Sequence, residues 1–442
     1  MSLGGQVQAA GTQKRAVRLV LLHDVGGKVL ALLPSDRLLN LAALWSLTGR
    51  RLQAVRREGV KRFFGQRGLQ TEVGQRGLMQ SLPLLIDQTL KEGSELSLSE
   101  YCTGFRFDWR YECGNEQQVT LGDISLQPAT ATVQQAPRGH SDVSAISSAV
   151  ERFTALRVQQ RLEDTLGLPA LAPTTQQIIR LRSKPDAGVD ELVQVVRLDP
   201  SLSAQVMSWA ASPYYAAPGE VRSIDDAIIR VLGFDLVVNL ALGIAMGKVL
   251  RVPEDQPSGT MPYWRQAVYA ATLAEVLARK MPLQLRLKTG LAYLSGLLHN
   301  FGYLVLAHLF QPHFSLLSRY IEANPHLEPV LIEQQVLKVT RDQIGGWLLE
   351  SWSLPSEVCA AIRQQQLDAP EGEAGSYARL LRLTVRLLRR EGLADGPVEP
   401  IETELLQCLG LTTEQTEEAM SVLLSSRDNL NQLTHALSRE RI

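Results

Sequence analysis

The sequence predicts an α+β multidomain protein in which a mixed α/β domain precedes an all-helical one. Short strand-like apolar runs and helix-like segments share residues 16–126, whereas strand signals nearly vanish after about Val150. Between them, Gln127–Ser148 is rich in Pro, Ala, Thr, Ser and Gln and has little apolar periodicity. Such a stretch is typical of an exposed linker, so a domain boundary is expected there.

The first domain is predicted from alternating or continuous apolar runs that have strand length. These runs are Ala16–Leu22, Lys28–Leu33, Leu82–Asp87, Glu95–Ser99 and Phe105–Tyr111. Apolar residues at helical spacing predict helices over Asn40–Thr48 and Glu58–Phe64. We therefore expect strands and helices in one mixed domain.

The second domain is predicted from apolar residues that recur every three or four positions. The periodic segments are Asp190–Val196, Ser201–Ala210, Ile224–Val231, Trp264–Leu277 and Leu287–Leu298. Predicted boundaries follow: a disordered or vector-derived N-terminus at 1–15, the α/β domain at 16–126, a linker at 127–150 and the helical domain, with its C-terminal helices, at 151–442.

Composition excludes several classes of protein. The 45 basic and 46 acidic residues nearly cancel, so no overall field directs the chain toward nucleic acid or an anionic membrane. The four cysteines form no Cys-x-x-Cys pair, which favours reduced structural thiols over a zinc ribbon. No uninterrupted apolar run reaches the roughly 18 residues of a membrane span. A cytoplasmic location is expected.

The helical region carries a series of short motifs in a fixed order. They are Leu168-Pro169-Ala170-Leu171, Asp199-Pro200-Ser201-Leu202, Ser223-Ile224-Asp225-Asp226-Ala227, Leu232-Gly233, Tyr263-Trp264-Arg265, Gly296-Leu297-Leu298-His299-Asn300-Phe301-Gly302, and Gly345 with Trp352-Ser353-Leu354-Pro355. Over about 200 residues this region resembles the HDOD family, the HD-related output domains of bacterial signalling proteins. The resemblance implies an all-helical fold and protein partners in signal transduction.

The same resemblance implies that an ancestral metal site has been lost. HD phosphohydrolases hold cations with imidazole and carboxylate ligands. The matching positions here carry other side chains, and only His299 is retained. The positions of this degenerate HD cleft are Gln266, His299, Asn300, Arg341, Gln365 and Gln366. Arg341 would repel a metal ion, and the nearby acids Glu333 and Asp342 are interpreted as ion-paired surface groups.

The N-terminal region more weakly resembles the YbaK and prolyl-tRNA-synthetase-associated editing domains. The resemblance rests on Gly26-Gly27, on the segment from Leu33-Pro34-Ser35 to Leu44, on Leu82–Asp87 and on Glu92-Gly93-Ser94. The family's strand lysine corresponds to Arg18, and its glycine-containing loop to Glu72–Leu78 without the proline. The resemblance therefore implies a degenerate editing pocket at Arg18, Gly77, Asp87 and Gly93.

One helix carries a basic stripe that the families do not explain. Arg379, Arg382, Arg386 and Arg389 recur at three- and four-residue spacing within Ala378–Arg390. The stripe could contact phosphates or a membrane surface, but no aromatic residues interleave with it. It is interpreted as a solvated face paired with nearby acids.

The sequence thus predicts a non-catalytic regulatory protein that acts through protein partners. A homodimer is compatible with this prediction, and no contact with a membrane is expected. No catalytic residue, metal ligand or cofactor is assigned. Two other classes stay open: a metal-dependent phosphohydrolase of HD type, and an aminoacyl-tRNA deacylase or tRNA-binding module. Bound transition metal at His299 would favour the first. Deacylation that is lost in Arg18→Ala would favour the second.

Overall fold

A computed structural model of the 442-residue chain describes residues 14–110, 118–128, 140–153, 173–184, 187–211, 215, 219–250, 252–372 and 374–438. The chain divides into two compact units. The N-terminal unit contains the described residues up to 128, together with Pro257–Gly259 and Leu316–Glu328. The helical unit contains the others. A mixed α/β region followed by a helical region was predicted, and this is confirmed.

The N-terminal unit is built on a mixed sheet. Its strands are β1 (Arg15–Asp24), β2 (Gly27–Pro34), β3 (Leu38–Leu39), β4 (Gln53–Ala54), β5 (Leu84–Asp87), β6 (Glu95–Glu100), β7 (Phe105–Arg110), β8 (Val119–Gly122) and β9 (Ser125–Leu126). The main sheet has the order β7-β6-β1-β2-β5-β8, with β4 paired to β1, and β3 pairs with β9. The hairpin from β1 to β2 turns at Gly27, whose φ of 112° favours glycine.

Three helices accompany the strands: α1 (Leu41–Thr48), α2 (Arg57–Gly65) and α3 (Glu72–Gln80). Alternation along β1 separates two cores, because successive side chains point to opposite faces. Val17, Leu19 and Leu21 enter one core with Phe63 and Phe64 of α2. Val20 and Leu22 enter the other, which includes Ala323 from the segment Leu316–Glu328.

Asn324 is the polar centre of the second face. Its side chain is fully buried, and its Oδ1 accepts hydrogen bonds from the Leu39 amide, at 2.7 Å, and from the Arg18 guanidinium. Its Nδ2 donates to the carbonyls of Leu39, at 3.3 Å, and Tyr320, at 2.9 Å. Arg18 also donates to the Ala323 carbonyl at 3.0 Å. Residues 316–328 are therefore integral to this unit, although they lie far along the chain from its strands.

The helical unit begins with helices that surround one irregular turn. They are α4 (His140–Phe153), α5 (Pro173–Ser183), α6 (Val189–Arg197), α7 (Pro200–Ala210), α8 (Ile224–Asp226) and α9 (Phe234–Val249), with a π-helical turn at Ala227–Leu232 between α8 and α9. Helix α7 begins at Pro200, as the Asp199-Pro200-Ser201 motif predicted. The motif at Leu168–Leu171 lies outside the described residues.

The remaining helices form the larger part of the chain's core. They are α10 (Tyr263–Lys280), α11 (Thr289–Leu298), α12 (Phe301–Leu309), α13 (Gln311–Ala323), α14 (Pro329–Val336), α15 (Arg341–Ser351), α16 (Ser356–Gln364), α17 (Ala374–Arg390), α18 (Thr403–Leu409), α19 (Thr413–Ser425) and α20 (Arg427–Ser438). From Leu316 onward, α13 counts with the N-terminal unit. Helix α10 is buried on nearly every side and packs on α11, α17, α19 and α20.

Two local predictions were wrong. Residues 140–148 of the predicted linker belong to helix α4, because Ile146, Ala149 and Val150 bury one face of it. The buried carboxylate of Asp142 in the same helix pairs with Arg363 at 2.7 Å. The predicted loop at Glu72–Leu78 is helix α3, which Thr71 caps by accepting from the Gly74 amide.

One stretch of the described chain, Thr289–Leu309, is long and apolar enough to cross a membrane by length and composition. The sequence did not predict this stretch, because polar residues interrupt its apolar run. The stretch comprises α11 and α12, and 89% of its most apolar window is buried inside the protein. Burial of that extent is what the core helices of a folded unit show.

Asn324→Ala should lower the free energy of unfolding by about 2–4 kcal/mol, because it leaves the buried Arg18 guanidinium and the Leu39 amide without their shared acceptor. Chemical denaturation followed by circular dichroism measures the change. Asp36→Ala, at an exposed position in the neighbouring turn, serves as the control and should change stability little. Equal stabilities of the two variants would contradict the central role of Asn324.

Candidate functional site

The turn between α11 and α12 holds His299 and Asn300 between two glycines that let helices approach closely. A Cβ at Gly296 would lie 2.5 Å from the Ala270 carbonyl oxygen of α10. A Cβ at Gly302 would lie 1.8 Å from the Arg341 carbonyl oxygen. Neither contact is sterically acceptable, so both positions require glycine. The Gly296–Gly302 stretch thereby brings the His299–Asn300 turn against the start of α15.

His299 is buried and neutral. Its Nδ1 donates a hydrogen bond to the Gly296 carbonyl at 2.7 Å, which fixes the tautomer because a carbonyl can only accept. Burial lowers the pKa of His299 to about 4, and the positive charges of Arg389 and Arg341 act in the same direction, while the Gly296 carbonyl opposes them. At neutral pH this imidazole is therefore uncharged.

The guanidinium of Arg341 lies where these elements meet. Its Nη1 donates to Asn300 Oδ1 at 2.9 Å, and its Nε donates to Glu333 Oε1 at 2.5 Å. The backbone amide of Arg341 donates to the second oxygen of Glu333 at 2.9 Å, and the guanidinium lies 4.9 Å from the Tyr303 ring centroid. Burial opposes the charge, but Glu333, with smaller contributions from Tyr303 and Asp342, outweighs burial and the pKa of Arg341 is raised.

Gln365 joins the same network from the turn after α16. Its Nε2 donates to the His299 carbonyl at 2.9 Å and to Asp342 Oδ1 at 2.8 Å. Gln366, the next residue, is half-buried in that turn. Glu333 and Asp342 are both buried, so their interpretation as surface groups was wrong. Glu333 can be buried because Arg341 neutralises its charge. Asp342 can be buried because Gln365 donates a hydrogen bond to its carboxylate.

Gln266 lies on α10 and pairs with an acid that the sequence did not indicate. Its Nε2 donates to Asp395 Oδ2 at 2.6 Å, and its Oε1 accepts from the Asp395 amide at 3.1 Å. Burial raises the pKa of Asp395, while hydrogen bonds from Met261 and Gln266 oppose the shift. Asp395 stands in a Gly-rich turn after α17, where a sequence pattern gives no reason to single it out.

The polar side chains of the cleft form hydrogen bonds with other groups of the protein. Gln266 and Asp395 form one part, and His299, Asn300, Arg341, Glu333, Asp342 and Gln365 form the other. Among the described residues, no group of three or more His, Cys, Asp or Glu side chains is arranged to hold a metal ion. The permanent cation Arg341 instead neutralises the buried carboxylate of Glu333.

The predicted editing-pocket residues are dispersed over the N-terminal unit. Arg18 is buried beneath residues 323 and 324, and burial lowers its pKa to about 9. Asp87 is fully buried, with Oδ1 accepting from the amide and hydroxyl of Thr89 at 3.0 and 2.6 Å. Gly77 lies inside α3, and Gly93 adopts φ 80° in the turn before β6. Within the described residues no hydrogen bond or ion pair joins these four positions.

The basic stripe on α17 is paired with nearby groups, as predicted, but it is not a solvated face. Arg386 and Arg389 are buried, because the segment between α17 and α18 folds over them. The pairs are Arg379 with the Pro370 carbonyl, Arg382 with Asp368, Arg386 with Glu399 and Glu402, and Arg389 with the Asp395 carbonyl. Little of the stripe's charge is left for a phosphate or a membrane surface.

Arg341→Met should lower the free energy of unfolding by about 3–5 kcal/mol, because it leaves Glu333 buried without a countercharge. Glu333→Gln in the same chain should recover much of this loss, since the neutral amide needs no countercharge. Thermal and denaturant unfolding of the four proteins in the double-mutant cycle measure the coupling. A coupling near zero would contradict the central position of this ion pair.

Lowering the pH should destabilise the helical unit through His299. Its pKa lies below the ordinary value of 6.5, so between pH 6.5 and about 4 the unfolded chain binds more protons than the native one. The stability contribution is fully present above pH 6.5 and is lost on acidification, with a slope of up to about 1.4 kcal/mol per pH unit. His299→Asn, which retains a donor for the Gly296 carbonyl, should flatten this slope. His326, whose burial lowers its pKa to about 3, is unchanged in both proteins and cancels in the comparison.

The chain is similar to several known proteins. The family model of the HDOD domain matches residues 168–367. A solved structure from Marinobacter aquaeolei VT8, described as a candidate signal transduction protein, is 38% identical with a TM-score of 0.80, and the match covers 96% of this chain and 94% of that one. An uncharacterized protein of Treponema pallidum (strain Nichols) is 25% identical over 276 residues, or 62% of this chain. The chain thus spans about half of that relative's length, at 51%.

Two more distant structures share the fold. An HDOD domain protein of unknown function from Geobacter sulfurreducens is 19% identical with a TM-score of 0.53, and covers 67% of this chain and 99% of its own. A candidate phosphohydrolase from Shewanella amazonensis SB2B is 19% identical with a TM-score of 0.51, and covers 66% and 99%. The matched residues contain the whole His299–Arg341–Gln365 network described above. The chain therefore belongs to the HDOD family and carries its HDOD domain at residues 168–367.

Proposed function

We propose that this HDOD protein is a non-catalytic regulator of bacterial signal transduction that acts through protein partners in the cytoplasm. The observation that carries the proposal is the Arg341 guanidinium, which is held between Glu333 and Asn300 beside the neutral His299. A hydrolytic metal site needs open ligand positions and a bound water. Here the side chains bind one another, and a permanent positive charge lies among them.

The N-terminal unit supports the same view. An editing site like that of the YbaK and prolyl-tRNA-synthetase-associated domains would need a cationic side chain on the first strand, and a substrate would have to reach that side chain. Arg18 on β1 instead directs two donors to the Ala323 carbonyl and Asn324 Oδ1, and only 5% of it is exposed. We propose that this editing-like unit has no deacylase activity and serves as a regulatory module.

Hydrolysis by a bound metal is the main competing function, and metal content tests it directly. The full chain, purified without chelators, should contain no stoichiometric iron, manganese or magnesium, and added Mn²⁺ should give no hydrolysis of bis(4-nitrophenyl) phosphate. The Asn300→Asp, Arg341→His double variant adds a carboxylate and an imidazole beside His299. It should take up more metal than the parent chain, which shows that the measurement can detect a site. Stoichiometric metal and turnover in the parent chain would overturn the proposal.

The regulatory role requires a partner that binds the folded protein. Affinity capture with the full chain, followed by binding measurements on the purified partner, should give a defined complex. The complex should persist in Arg18→Lys, which keeps the charge, and in the absence of divalent metal. A deacylase or tRNA-binding role would instead be established if the full chain deacylated a mischarged tRNA and Arg18→Ala abolished this activity.

A further inference from the structure

Helix α7 carries two buried polar groups that the cleft does not use. Gln205 is 8% exposed and Trp209 is 1% exposed. Neither Gln205 Oε1 nor Trp209 Nε1 has a hydrogen-bond partner among the residues that the structure describes. An unsatisfied buried polar group destabilises the folded protein, so two such groups on one helix call for an explanation.

The two groups are complementary and adjacent. Positions 205 and 209 are four residues apart, so their side chains lie on one face of α7, one turn apart. Gln205 offers an acceptor and Trp209 a donor. Leu202 and Val206 on the same helix are buried beside them. A donor and an acceptor within apolar surroundings are the usual composition of a small-molecule site.

The element that packs most extensively on α7 is the π-helical turn at Ala227–Leu232. At the end of this turn the Gly233 amide donates a hydrogen bond to the Ile228 carbonyl, five residues earlier, at 2.8 Å. Gly233 then adopts φ 79° and ψ 163°, which favours glycine. Side chains of Ala227 and Ile228 are buried in this turn. π-Helical turns are rare and occur frequently at functional sites.

We propose that Gln205 and Trp209, on the helix that packs on the π-helical turn, bind an uncharged planar group that presents C=O and N–H side by side, as a carboxamide or a nucleobase edge does. The ligand carbonyl would accept from Trp209 Nε1, and the ligand N–H would donate to Gln205 Oε1. Both protein groups are neutral, so this site favours a neutral ligand group.

A single buried water is the competing occupant. A water could also bridge the two atoms, but buried waters usually make about three hydrogen bonds, and the described residues offer two unpartnered atoms here. A planar amide, which carries one donor and one acceptor side by side, uses both atoms. The two occupants differ in one measurable respect, because only the amide-type ligand can be titrated.

The test follows the indole N–H of Trp209 in the full chain by ¹⁵N-edited NMR, with Trp209→Phe to assign the resonance. Uridine and N-acetylglycinamide, each titrated through about 1 mM and above, represent the nucleobase and carboxamide forms of the ligand. At least one probe should shift the Trp209 signal saturably and raise the melting temperature. Saturation by uridine alone would identify a nucleobase edge, and saturation by N-acetylglycinamide alone a carboxamide.

Gln205→Leu should weaken binding of the active probe by about tenfold or more. The same variant should keep or raise the stability of the free protein, because it removes an unsatisfied buried acceptor. Gln194→Leu, at an exposed position on α6, is the matched control and should bind as the parent chain does. An unmoved Trp209 signal with both probes, or unchanged binding in Gln205→Leu, would overturn the proposal.

Discussion

The buried ion pair between Arg341 and Glu333 is the interaction around which the HDOD domain is arranged. Glu333 is fully buried, and a carboxylate without a countercharge at that depth would cost several kcal/mol. Arg341 supplies the countercharge and also binds Asn300, so one guanidinium connects α14, α15 and the turn before α12. Gly302 makes the approach feasible, because its missing side chain leaves room for the Arg341 carbonyl.

A comparison of Arg341 with Arg18 shows how the surroundings of a charge determine its cost. Arg341 has a carboxylate partner, and its pKa is raised despite burial. Arg18 has only the Ala323 carbonyl and the neutral amide of Asn324, and burial lowers its pKa to about 9. Arg18 is stabilised by carbonyl and amide dipoles near a helix end, which is a weaker interaction than an ion pair. The burial of Arg18 therefore depends on the neutral groups of residues 316–328. The burial of Arg341 depends instead on its ion pair with Glu333.

The composition of the cleft explains how an HD-type scaffold can be kept without an open ligand set. Each side chain in the network has a protein partner, from the Gln266–Asp395 pair to the bonds of Gln365 with Asp342 and the His299 carbonyl. The amides and the guanidinium cross-link the helices through hydrogen bonds and one ion pair. A domain of this kind can hold a fixed shape for partners, and this is the basis of the regulatory proposal.

Periodicity in the sequence determined the order of the two regions and most of their elements, because burial of one face leaves a local pattern. It placed β1, β2, α10 and α11 within a few residues, whereas the proposed positions of the cleft came from the family resemblance. It missed α4, whose few apolar residues follow a stretch of Pro, Ala and Gln and are separated by Ser, and the helical nature of Glu72–Leu78. It could not indicate that Asp395 pairs with Gln266, that Glu333 and Asp342 are buried, or that Asn324 completes the sheet near Arg18. Those features join residues 8 to 306 positions apart, and only the packed structure decides which buried polar groups find partners.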